Sequence, residues 1–86
     1  MEIYKRKDIP WRVIEENALL VNPKTSLIYP LNTVACRIWQ LLDGKSGADE
    51  IAGIIKEEFD VEEDVLRPDL AEFILQLKEA GLIEKI

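Results

Sequence analysis

The run Leu31-Asn32-Thr33-Val34-Ala35-Cys36-Arg37-Ile38-Trp39-Gln40-Leu41-Leu42-Asp43-Gly44 constrains the fold most, because both ends of a helix are written into it. Asn32 can accept a hydrogen bond from an orphan amide of the first turn, and Gly44 can adopt the left-handed conformation that closes the last. Between them Ala35, Ile38, Trp39 and Leu42 recur at the spacing of one buried helical face. This predicts a first helix over about residues 33 to 43.

Three strand-like runs precede it. Residues 1 to 10 mix charges with Ile3, Tyr4 and Ile9 and end at Pro10, which reads as an extended lead-in. Trp11-Arg12-Val13-Ile14-Glu15, Ala18-Leu19-Leu20-Val21 and Ser26-Leu27-Ile28-Tyr29 are rich in β-branched and aromatic side chains. Turn residues separate them, at Glu16-Asn17 and at Asn22-Pro23-Lys24-Thr25, and Pro30 stops the last. Connections this short predict an antiparallel meander.

After the first helix, Ser46-Gly47-Ala48-Asp49 has the form of a capping box and predicts the start of a second. Ile51, Ala52, Ile54, Ile55 and Phe59 supply its apolar side. Pro68 costs roughly 3 kcal/mol inside a helix but suits a first turn. We therefore expect a loose turn over residues 62 to 66 and a third helix from Pro68, with Leu70, Phe73, Ile74 and Leu77 as its buried stripe and Gly81 as its stop. Leu82-Ile83 is expected to fold back onto the core. The whole, residues 1 to 86, reads as one α+β domain of three strands and three helices, in an order also met in winged helix-turn-helix proteins.

Composition then narrows the chemistry. The chain has no histidine, which removes the usual general base and the commonest transition-metal ligand together. Its single cysteine, Cys36, cannot form an internal disulfide, and it lies on a helix with no second thiol or histidine to activate it. No apolar run is long enough to span a bilayer and the N-terminus lacks the apolar core of a signal peptide, so we expect a cytoplasmic protein with no membrane role. The acidic cluster Glu57, Glu58, Asp60, Glu62, Glu63, Asp64 lacks the spacing of a calcium loop and reads as solvated helix ends. No metal site, cofactor site or catalytic constellation is expected, and the chain is read as a non-enzyme.

Of the 17 acidic residues, most lie between Asp43 and Glu79. In a winged helix the third helix would enter DNA, but here residues 61 to 80 hold only Arg67 and Lys78 against Glu62, Glu63, Asp64, Asp69, Glu72 and Glu79. Phosphate would repel that helix, so a DNA-binding regulator is the weaker alternative. The third strand offers another use. In a meander its outer side is an open edge, and Leu27-Ile28-Tyr29 carries no charge to guard it. An extended peptide could add there as a fourth strand; a second copy of the chain could do the same, giving a structural homodimer; or either end of the chain could cover the edge.

The signature Leu-Asn-x-x-Ala-x-x-Ile-Trp-x-Leu-Leu-Asp-Gly resembles the central motif of the pyrroloquinoline-quinone biosynthesis protein D (PqqD) family. The likeness continues in Leu20-Val21-Asn22-Pro23, in Tyr29-x-Leu31-Asn32, and in Asp69-Leu70-x-x-Phe73-x-x-x-Leu77-x-x-x-Gly81-Leu82-Ile83. It departs at Val34, where the family often has glycine. The resemblance implies a winged helix-turn-helix-like domain that binds the leader of a ribosomally made precursor peptide. It also implies a partner in trans, a radical S-adenosylmethionine maturase or another modifying enzyme, with the protein itself a monomer or weak dimer. The leader would pair antiparallel with the third strand, in the cleft between it and the third helix. By resemblance Leu27, Ile28 and Tyr29 form the strand side of the peptide site, and Arg67, Leu70, Phe73 and Ile74 the helix side.

Overall fold

The computed structural model describes residues 3 to 86. In chain order these form β1 (Ile3–Arg6), β2 (Trp11–Ile14), β3 (Asn17–Val21), β4 (Ile28–Leu31), α1 (Thr33–Leu41), β5 (Asp43–Gly47), α2 (Ala48–Phe59), α3 (Glu63–Glu79) and β6 (Ile83–Lys85). The expected α+β class and the meander are present, the latter as β2-β3-β4. A second antiparallel sheet, β5-β1-β6, accompanies it. The lead-in is thus no loose arm, since β1 is the central strand of that sheet.

This second sheet explains two departures from expectation. The capping box does not form: Ser46 lies in β5, its amide donates to Asp43 Oδ1 at 3.3 Å, and Gly47 caps α2 without a side-chain hydrogen bond. Pairing of Ile3 with Gly47 and Lys5 with Asp43 satisfies more main-chain groups than a cap could. Gly44 has the expected positive φ, +83°, but it sits inside β5 where the register shifts, while Leu42 closes α1 through the carbonyls of Ile38 and Trp39. A Cβ at Gly44 would stand 3.1 Å from that of Lys5, so both its conformation and its close approach call for glycine.

The third helix also begins earlier than expected, at Glu63, with Pro68 inside it. Proline withholds the amide that would bond the carbonyl of Asp64. What offsets this is the turn before it: Leu66 is buried in the core, and Arg67 donates to Glu63 one turn back and to Asp49 of α2. Burying a leucine contributes about 1.5–3 kcal/mol, comparable to the cost of the proline. At the far end Gly81, with φ +74°, completes a Schellman motif in which the Leu82 amide reaches the Leu77 carbonyl at 2.9 Å.

Trp39, Leu20, Leu42, Ile51, Ile55 and Leu82 form the fully buried centre. Arg6 joins the two sheets to α1. Its guanidinium donates to the carbonyls of Trp39 (2.9 Å), Gln40 (2.7 Å) and Leu42 (3.3 Å), and it lies 5.6 Å from the ring centroid of Trp11, which meets Trp39 edge to face. A cation at a helix C-terminus is favoured by the carbonyls left there.

The β2–β3 hairpin turns through Glu15 at φ +60°, a position that favours glycine. Glu15→Gly is expected to raise stability by about 0.5–1 kcal/mol, read as a shift of the urea midpoint at constant slope. A lower midpoint would mean that the glutamate side chain supports the turn.

Candidate functional site: the edge of β4 and the trough beside α3

Among the described residues β4 pairs only with β3. Its other edge is uncovered, because β1 and β6, the two elements that could have shielded it, both belong to the second sheet. The direction in which each main-chain group points follows from two hydrogen bonds. Val21 donates to Pro10 on the β2 side at 3.0 Å, whereas Asn22 donates to Leu27 on the β4 side at 2.9 Å. Alternation along an antiparallel ladder then turns Leu20 and Ala18 toward β4, where they face Tyr29 and Leu31. The amides and carbonyls of Tyr29 and Leu31 therefore serve β3, and those of Ile28 and Pro30 point out to the open edge. The side chains alternate as well, with Leu31 buried, Tyr29 half-buried, and Ile28 and Pro30 exposed on the outer face.

Beside this edge runs a cleft of about 470 Å³, walled by Tyr29 and Leu31 on one side and by Phe73 and Gln76 of α3 and its C-cap Ala80 on the other. Asn32, Ala35 and Phe73 also border a second, mainly apolar hollow of about 350 Å³ between α1 and α3, which Val65, Asp69 and Leu70 help to line. The two hollows thus form one trough along the α3 face bearing residues 65, 69, 73, 76 and 80, spaced three or four apart. Among the described residues, Asp69 is the only one lining either hollow that is charged at neutral pH. Two side chains hold the walls in place. Asn32 Oδ1 accepts from the Ala35 amide at 2.9 Å, and Asn22 Nδ2 donates to the Ala80 carbonyl at 3.2 Å, tying the β3–β4 turn to the end of α3.

The family model for coenzyme PQQ synthesis protein D (PqqD) matches residues 17–83. The chain belongs to the PqqD family. Among solved structures it is similar to TbiB1 in complex with the TbiA(beta) leader peptide, at 28% sequence identity and a TM-score of 0.82, over 93% of this chain and 94% of that one. No curated protein matches it by sequence.

In this PqqD-family protein the residues named from the sequence fall into three groups. Ile28 and Tyr29 lie on β4, and Phe73 faces Tyr29 across the trough, with Leu70, 2% exposed, forming its floor toward α1. Leu27 lies just outside the strand, in the turn, and is 56% exposed. Arg67 and Ile74 are not brought into the trough. Arg67 is held toward α2 by Asp49 and Glu63, and the hydrogen bonds and charge of Arg67 keep the Glu63 carboxyl below its ordinary range. Ile74, 8% exposed, borders a different groove with Tyr4, Ala48 and Leu75.

Gln76, Ala80 and Val65 are not singled out by the sequence, and Asp69 enters there only through the family motif and the acidic count, although a signal for all four exists. They occupy the stripe next to the apolar one, and on a helix packed by one face the neighbouring stripe lines its margin. Among the described residues no group of three or more cysteine, aspartate or glutamate side chains converges on a metal position. Burial raises the thiol pKa of Cys36, which makes it a poorer nucleophile at neutral pH.

Proposed function

We propose that this protein is a non-catalytic adaptor that binds the leader of a ribosomally made precursor peptide as a fourth strand on β4. It then presents the peptide to a modifying enzyme acting in trans, a radical S-adenosylmethionine enzyme or another maturase. The observation that carries this reading is the uncovered edge of β4 beside an apolar trough, in a PqqD-family chain similar to a protein solved with a leader peptide bound. Main-chain pairing with Ile28 supplies affinity, and the trough supplies selectivity through Tyr29, Leu70 and Phe73. Leu27 flanks this path, while Arg67 turns to Asp49 and Glu63 and Ile74 to a separate groove.

Asp69 at the trough and the acidic exposed face of α3 favour a leader with basic residues beside its apolar anchors. The same charge disfavours nucleic acid. A disordered leader gives up about 2–5 kcal/mol in ordering, so the dissociation constant is expected on the order of micromolar.

The test is an amide-shift titration with the leader half of a short peptide encoded beside this gene, at low and at high salt. Shifts concentrated on residues 27 to 32 and 69 to 80, weakening with salt, are the expected result. Shifts confined to the opposite groove around Ile74 and Leu75, or a response to duplex DNA instead, would refute the assignment.

A further inference from the structure

We propose that Pro30 makes the open edge of β4 selective for a foreign strand over a second copy of itself. Both Ile28 and Pro30 point their main-chain groups outward, but proline has no amide hydrogen. Within β4 the edge thus offers one donor, the Ile28 amide, and two acceptors, the carbonyls of Ile28 and Pro30.

An antiparallel incoming strand with a full set of amides makes three bonds to this edge. It exchanges two with Ile28 and donates a third to the Pro30 carbonyl. A second copy of β4 does worse in each of the three registers available to it. If Ile28 faces Pro30 of the other copy, each proline withholds a donor and two of four bonds are lost. If Ile28 faces Ile28, its two bonds form, but Pro30 then faces Ser26, which is left-handed at φ +61° and outside the strand. Either way two bonds remain, and with Pro30 facing Pro30 none forms within β4. Proline on an edge strand is a recurring protection against self-pairing, and here it removes the donor without closing the edge to another peptide.

For a bound leader, a consequence resting on the adaptor reading is that its register is read by two amides two residues apart. The amide between them points away from β4 and can be lost.

The self-pairing half is tested without any leader. Sedimentation velocity on Pro30→Val, which restores the amide and fits a strand, is expected to show dimerisation at least about tenfold tighter than in the unsubstituted protein. The Ile28 amide should become protected from hydrogen exchange as the dimer forms. Pro30→Ala adds the same amide with a smaller side chain and serves if the valine variant misfolds. Variants that self-associate no more than the parent would overturn the proposal. So would association that leaves the Ile28 amide unprotected. Because no peptide is present, these outcomes are independent of whether the leader assignment holds.

Discussion

Replacing Ile28 with proline is expected to weaken leader binding by about ten- to hundred-fold while leaving the fold nearly as stable as before. The Ile28 amide points away from β3, so its removal costs no bond within the sheet. It is the one donor that β4 offers at its edge, and without it an incoming carbonyl is stripped of water and left unpaired, at about 1–3 kcal/mol. The neighbouring substitution is the control. The Tyr29 amide faces Leu20, and Tyr29→Pro would break the ladder between β3 and β4. Thermal unfolding of both variants beside a binding titration separates the effects. If Ile28→Pro lowers the melting temperature as much as Tyr29→Pro, the assignment of outward and inward amides is wrong.

The second large effect concerns stability. Trp39 is fully buried, meets Trp11 at 6.1 Å between ring centroids, and lies in the turn of α1 whose carbonyls Arg6 holds. Trp39→Ala is expected to cost about 3–5 kcal/mol, a large share of what a domain of this size possesses. At about 4–8 °C per kcal/mol, circular dichroism should show a fall of at least about 12 °C, or no cooperative transition at all. Trp39→Phe is expected to be far milder for a specific reason. The indole Nε1 is buried and has no hydrogen-bond partner among the described residues, so phenylalanine removes an unsatisfied donor along with part of the ring. A phenylalanine variant as damaged as the alanine one would show that the indole nitrogen is paired after all.

What the chain alone makes legible is the local chemistry. Asn32 and Gly81 cap where their residue types prefer to cap, and the three apolar runs of the meander pair as short turns require. The second sheet was invisible for a physical reason. Ile-Tyr-Lys-Arg, Asp-Gly-Lys-Ser-Gly and Ile-Glu-Lys are short and rich in charge or glycine, and each becomes a strand only because the others lie beside it in space.

The site divides in the same way. Tyr29 and Phe73 are set across from each other by the family resemblance, and both line one cleft. Arg67 could not be placed, because whether a lone cation on an acidic helix turns to a peptide or to its own neighbours depends on where α2 lies. Its ion pair with Glu63, four residues back, was the available clue. By residue type Pro30 marks the end of a strand, yet the ladder runs through it, since only an outward-facing position can spare the amide.

The sheet built from β1, β5 and β6 also bears on how such a domain can be joined to others. β1 and β6 lie side by side, and the amide of Ile86 reaches the carbonyl of Ile3 at 2.8 Å, so the two ends of the described chain emerge together. The edge that would take a peptide belongs to the other sheet. A second protein grafted at either end would therefore be tethered from nearly the same point, with the binding edge left free. The same adjacency means that the two ends of the described chain could be linked by a short loop and new ones opened elsewhere. Geometrically the unit behaves as a cassette: it can be spliced in from one side and read from another.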